Sequence, residues 1–428
     1  MSLQKEKKYN SPKKPQQVRE RRPNFSYAGF VHSALAESNK KADDFLLQNE
    51  PLARLSYAEE YAIKNEALAL FWKKHALAGT PEKLRESPQQ RRYRTTSQRR
   101  VFFKGKKLYL AFGDTKGDSP KKVFDESLIE PKEHAEIYIF LQKKFSEPEN
   151  RLAATHLNYL IIRGNYRERC VIFNVDLLNG AIVRRLKVIA GQLQKHSQSV
   201  QSAFIYLDPS RSGYYLESRK AAAPVQFKRL FGPAFLAVEL EGRTLQFHPT
   251  SFSQVNESMV PVMLREAKGL IAPGPNERLV DLYCGYGLFS CFLSNDYRQI
   301  FGMDSEGPSI QSAKGNAGYS SGKAKIRFMA GRITADSIEL MLPKKPMPET
   351  IILDPPRQGP ENGVIESICH RNPGKVLHIF CGVDQIPDSL RMWKENGYEV
   401  EKAVPLDMFP GTVNLEILIL LKPVSKRS

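Results

Sequence analysis

Cysteine is scarce and scattered in this 428-residue chain: five residues, Cys170, Cys284, Cys291, Cys369 and Cys381, with no two spaced as CxxC. That excludes the usual zinc and iron–sulfur ligand sets and a disulfide framework, and it fits a reducing compartment. No apolar run approaches the roughly 20 residues of a membrane helix. The opening segment MSLQKEKKYNSPKK is basic but lacks the apolar stretch of a secretion signal. No internal repeat is evident, and no GK[ST] closes a phosphate-binding loop. The expectation is a cytoplasmic protein without membrane attachment, with length for two or three domains.

What is abundant is positive charge, and it is unevenly placed. Lys+Arg number 64 against 46 Asp+Glu, a net +18. Residues 1–100 hold 21 basic and 11 acidic residues, residues 101–245 hold 23 and 15, and residues 246–428 hold 20 of each. All of the excess therefore lies before residue 246. The densest stretch, Lys83 to Lys107, carries ten basic residues and one acid, Glu86, interleaved with Tyr93, Phe102 and Phe103. Cations among aromatics suit a phosphate backbone with unstacked bases. A solvated surface is the alternative reading of such a run.

Patterning divides the chain into three parts. Residues 1–25, rich in Lys, Arg, Pro and Gln, have little to bury and read as disordered. Ser56 to Leu77 reads as a helix, with Ser56 and Glu59 spaced as a capping box and apolar residues recurring through Trp72. From Arg100 short strand-like runs take over, with one amphipathic helix from Ala181, as in an α+β domain. After His248, strand-like runs alternate with helical segments, which calls for a parallel, doubly wound sheet covered on both faces. Ligands of such sheets bind at the carboxyl ends of the strands.

The residues at those ends carry chemistry. Asp281-Leu-Tyr-Cys-Gly285-Tyr-Gly287 ends one apolar run and opens a helix, and its glycines allow close approach of a ligand to backbone. Asp304 ends the next run, where a carboxylate can accept both hydroxyls of a ribose. Turn and acid together suggest an adenosine-containing cofactor without a long phosphate chain, S-adenosylmethionine. A structural carboxylate at Asp304 is the other reading. Asp354-Pro-Pro-Arg357 follows TIIL, and the prolines hold Asp354 on a rigid, extended loop. Arg357 stands where amino-group methylation needs an aromatic. Cys381 closes the run KVLHIFC. By frequency a lone cysteine is a small buried hydrophobe, but at this edge a thiolate could add to an activated ring. Glu416 lies in an otherwise aliphatic run, where burial raises a carboxyl toward a pKa useful for proton abstraction. A surface carboxylate on an edge strand is its alternative.

In this order the motifs HPTSFSQVN, DLYCGYG, FGMD, LDPPRQG, FCG and DMFPGTVNLE resemble the S-adenosylmethionine-dependent RNA uracil carbon-5 methyltransferases that act on tRNA and rRNA. The resemblance implies an α/β protein in three parts. Residues 246–428 would form a Rossmann-like, doubly wound class I methyltransferase domain. Residues 91–245 would form a central α+β RNA-binding domain, and residues 1–90 a basic, partly disordered and helical extension. It further implies that Cys381 is the nucleophile and Glu416 the general base. Gln254, Tyr283, Gly285, Asp304 and Asp354 would line the cofactor and base pocket, with Phe252 and Asn256 flanking Gln254. RNA, as tRNA or rRNA, would be the partner, with no metal or iron–sulfur cluster. The chain departs from the family pattern at Ser253, Leu288, Phe380, Gly382-Val383 and Asn414. Two other functions stay open: a non-catalytic RNA-binding or chaperone protein on this fold, and an RNA cytosine carbon-5 methyltransferase. The latter takes its cysteine from Thr-Cys and carries Pro-Cys earlier; neither dipeptide occurs here.

Overall fold

The computed structural model of the chain describes residues 25–37, 49–104, 107–112, 127–211, 227–305, 307–318, 322–344 and 346–424. The disorder expected for residues 1–25 falls almost wholly outside these.

A central sheet comprises β1 (Ser97–Lys104), β2 (Lys107–Ala111), β3 (Leu157–Gly164), β4 (Arg169–Val175), β5 (Val200–Leu207) and β6 (Phe227–Phe231), ordered β2-β1-β3-β4-β5-β6. Only β4 and β5 pair in parallel, and the amphipathic helix Gly180–His196 makes the crossover that a parallel pair requires. Asn179 caps it, its side chain accepting from the Ala181 and Ile182 amides at 3.0 Å. This helix and Lys132–Ser146 cover one face of the sheet through Ile137, Leu141, Leu186 and Ile189. The opposite face, through Tyr159, Ile161, Ile172 and Phe204, shares a core with the C-terminal half.

The hairpin β7 (Leu236–Leu240) and β8 (Arg243–Phe247) seals that junction. Its buried residues alternate with half-buried and exposed ones, as a one-sided strand pair must. β8 runs across the boundary expected at residues 245 and 246.

The C-terminal sheet contains β9 (Arg278–Leu282), β10 (Gln299–Asp304), β11 (Lys325–Ala330), β12 (Glu349–Leu353), β13 (Lys375–Phe380), β14 (Tyr398–Leu406) and β15 (Glu416–Pro423). Their order is β11-β10-β9-β12-β13-β15-β14. β9 and β12 are buried along their whole length, as expected of strands covered on both faces. The chain leaves β9 for β10 on one side and later returns for β12 on the other. The carboxyl ends of β9 and β12 thus flank the point where the winding reverses. One element differs from the parallel sheet read in the sequence: β15 runs antiparallel to both β13 and β14. No helix lies between β14 and β15, so the chain turns back as a hairpin instead of crossing over.

The N-terminal region takes a larger part in this half than an appended segment would. Helices Tyr27–Glu37 and Tyr57–Lys74 bury Val31, Leu35, Leu68 and Phe71 in the same core as Val280, Ile351, Trp393 and Ile417. Ser56 and Glu59 form the expected capping box. The buried stripe of the second helix includes two charges, Glu60 and Lys64, paired at 2.7 Å. Lys64 also reaches Asp407 at 2.8 Å, and all three side chains are fully enclosed. No helix among the described residues is long and apolar enough to cross a membrane.

Candidate active site

The turn after β9 is built from left-handed residues: Tyr283 (φ 64°), Gly285 (φ 55°) and Gly287 (φ 85°). A side chain at Gly287 would meet the Phe328 ring at 2.8 Å, so that glycine is sterically required. At Gly285 a Cβ would meet nothing within 4 Å, which leaves the turn's outer side open to a ligand. Asp304, at the end of β10, fastens the turn: Oδ2 accepts from the Gly285 amide and Oδ1 from the Ser305 amide, both at 2.7 Å. Asp281 lies beneath, one oxygen accepting from the Ser290 hydroxyl at 2.6 Å and the other buried without a partner. Burial pushes its carboxyl up to about 7.

Three further candidates meet beside it. Asp354 follows β12, its carboxyl pushed up to about 7 by burial and then by Asp281 and Asp304. Cys381 follows β13 and donates weakly to the Pro355 carbonyl at 3.9 Å. Glu416 opens β15 and is 2 % exposed, with Oε2 unpartnered. The pairing of Phe380 with Ile417 sets Cys381 and Glu416 opposite each other, one step further along the ladder. Only because β15 is reversed does its first residue lie at the edge where β9, β12 and β13 end. A parallel β15 would put Glu416 at the far side of the sheet.

Electrostatics ties the group together. Burial pushes the Cys381 thiol up to about 12, Asp354 and Glu416 add to this, and Arg357 opposes it. Glu416 is pushed up to about 8 by burial and then by Asp354, again against Arg357. The exposed Arg357 is therefore a site cation; the sequence marked it only as the residue where an aromatic was missing. Asp281 was likewise legible only as the start of the turn. Asp281, Asp304, Asp354 and Glu416 repel one another along one edge, an arrangement that favours a cationic ligand. No group of three His, Cys, Asp or Glu suited to a metal ion occurs among the described residues.

Gln254 is half-buried in the loop that precedes the helix Val260–Ile271. Among the described residues it makes no hydrogen bond to the other candidates, but both its neighbours are held by the central domain. Arg163 on β3 donates to the Ser253 hydroxyl at 2.9 Å, and the Thr95 amide donates to the Val255 carbonyl at 2.9 Å. Asn256, beside them, is structural: it is fully buried and donates to the Ser87 hydroxyl and the Met408 carbonyl. Phe252 is 56 % exposed.

The basic stretch proves partly internal. Arg99 pairs with Glu130, Arg91 with Glu60, and Arg85 with Glu82 and Glu266, while Arg92 holds backbone carbonyls. Tyr93 is wholly buried and Phe103 packs against the core. Lys83, Arg100 and Lys107 remain exposed.

Residues 215–424 match the family described as tRNA (uracil-5-)-methyltransferase. An uncharacterized RNA methyltransferase of Thermosynechococcus vestitus is 33% identical over 194 residues, covering 45% of this chain and 42% of the relative. One from Clostridium acetobutylicum is 32% identical over 176 residues, covering 41% and 38%. The chain spans about two fifths of the length of these relatives. The crystal structure of Pyrococcus abyssi tRNA (uracil-54, C5)-methyltransferase in complex with S-adenosyl-L-homocysteine superimposes with a TM-score of 0.66 at 20% identity. That likeness covers 88% of this chain and 85% of that one. The fold is accordingly the α/β, Rossmann-like class I methyltransferase fold, and the resemblance carried by the motifs is borne out over residues 215–424.

Proposed function

We propose, from the family match over residues 215–424, that the chain is an S-adenosylmethionine-dependent RNA methyltransferase that modifies carbon 5 of a uridine in tRNA or rRNA. The observation that carries this reading is the placement of Cys381 opposite Glu416 at the carboxyl edge of the sheet, beside Asp354.

What supports the cofactor is the turn at Tyr283–Gly287, open at Gly285 and held by Asp304, together with acids along the edge that favour a cation. When bound there, S-adenosylmethionine supplies a methyl group activated by a sulfonium. Gln254, on its clamped loop, completes the pocket. Uracil carbon 5 is a weak nucleophile. The Cys381 thiolate adds to carbon 6, and the electron pair of the 5,6 double bond moves toward carbon 5 as an enolate. Once carbon 5 is methylated, Glu416 removes the proton left on it, the double bond re-forms and the thiolate departs. A thiol held near 12 needs help to ionise. Arg357, and the neutralisation of Asp354, both act in that direction. The target base must leave its stack to reach this edge, and the basic half of the chain would hold the RNA around it.

The test uses tRNA and rRNA fragments containing 5-fluorouridine, incubated with the protein and labelled S-adenosylmethionine. A denaturation-resistant, methyl-labelled adduct that Cys381→Ala abolishes is the expected result. Binding without any adduct on either RNA would instead favour a non-catalytic binding protein.

A further inference from the structure

We propose that the hairpin β1–β2 is a stacking platform for an unpaired base of the RNA, separate from the base that enters the active site; this rests on the RNA reading above. Strand alternation splits the hairpin's side chains between two faces. Val101, Phe103, Leu108 and Leu110 point to the helix-covered face and join its core. Phe102 and Tyr109, paired directly across the ladder, point to the other. Further along the sheet that other face is buried against the C-terminal half through Tyr159, Ile161 and Phe204. β1 and β2 overhang this junction, so the two rings belong to no buried cluster among the described residues and stay half-exposed.

The rings stack on each other, with centroids 5.6 Å apart and planes within 19°. The Lys107 ammonium lies 5.3 Å from the Tyr109 centroid, and the exposed Arg100 stands on the same face, across the ladder from Ala111. A flat aromatic surface with cations at its rim takes any base by its π-face and the adjoining phosphates by charge. Residues 101–245 hold 23 basic against 15 acidic residues, which favours a polyanion over a protein partner of ordinary charge.

The platform is tied to the active site by one strand. Thr95, just before β1, is hydrogen-bonded to Val255 beside Gln254. Phe102 lies seven residues further on, so its backbone is at most about 23 Å from Thr95. That span is within the reach of a single RNA loop.

Two readouts test the platform. Stem-loop RNAs carrying an unpaired 2-aminopurine at successive loop positions are titrated with the full-length protein, and affinity is read by anisotropy at fixed salt. Wild type should quench 2-aminopurine at one position away from the target. Phe102→Leu and Tyr109→Leu, which keep apolar bulk, should each abolish that quench and weaken loop binding by on the order of tenfold. Phe102→Tyr should restore both, and S-adenosylhomocysteine affinity should not move in any variant. Undiminished quench and affinity in the Leu variants, with wild type methylating the RNA, would overturn the platform alone. Loss of loop binding in the Leu variants without methylation by wild type would keep the platform and overturn the enzyme. A wild-type protein that binds neither loop nor duplex RNA would overturn both.

Discussion

Arg163, the penultimate residue of β3, clamps Ser253: its Nη2 donates to the hydroxyl at 2.9 Å, and its Nη1 donates to the Pro249 carbonyl. The guanidinium is 2 % exposed, so these bonds form away from water and replacements leave their acceptors stranded. Arg163→Met should lower unfolding stability by about 2–3 kcal/mol, measured in urea. It should also raise KM for S-adenosylmethionine more than it lowers kcat, because the loop carrying Gln254 loses its anchor. Equal effects on both constants would place the clamp outside cofactor binding.

Glu416→Gln keeps the shape and hydrogen-bonding reach of the base but cannot accept the carbon-5 proton. Turnover should fall by about two to four orders of magnitude. Methylated RNA should accumulate covalently attached to Cys381, visible as a slow-migrating labelled band on a denaturing gel. Normal turnover without a trapped species would remove Glu416 from this role.

Asp281, Asp354 and Glu416 bind protons up to about 7, 7 and 8 in the folded chain. Acids with raised folded-state values stabilise fully at low pH and lose that contribution as pH climbs through those values. The free protein should therefore lose melting temperature from about pH 4, the ordinary carboxyl value, to about pH 8, the highest raised one, from this source. A sulfonium compensates the ionised acids, so S-adenosylmethionine should raise the melting temperature more at pH 8.5 than at pH 6, and more so than S-adenosylhomocysteine. Calorimetry should register proton release on binding within the same window. A pH-independent shift would detach the acids from the cofactor.

Burial works against the Lys64 ammonium, but Asp407 and Glu60 outweigh it and raise it above the usual lysine value. Lys64→Met would leave two enclosed carboxylates without their shared cation. The expected loss is about 3–5 kcal/mol in chemical unfolding. Asp407→Asn keeps an oxygen to accept from Lys64 and should cost less.

Much of the C-terminal half was legible because its signals are local. A strand ending in Asp304, Asp354 or Cys381 announces both its direction and its functional edge within a few residues. The capping box at Ser56 and the crossover helix from Ala181 were readable for the same reason. What depended on distant parts of the chain was not. The reversal of β15, which gives Glu416 its place, follows from pairing with β13, not from anything within its aliphatic run. Tyr93 and Phe103 looked like surface aromatics among cations, but the Pro410 carbonyl waits for the Tyr93 hydroxyl at 2.9 Å, and a helix-lined core for the Phe103 ring. Arg357 became a site residue only when Cys381 and Glu416 arrived beside it.

The enclosed Lys64–Asp407 pair also sets a timetable for synthesis. Its partners are 343 residues apart in the chain, and the Tyr27 amide reaches Asp384 across 357. At the usual 5–20 residues per second, the first helices leave the ribosome roughly 20–70 s before the segments that will cover them. During that interval Phe71 can pack against the N-terminal rings of Tyr27 and Phe30, but the C-terminal members of the same core, Trp393 and Ile417, are still missing.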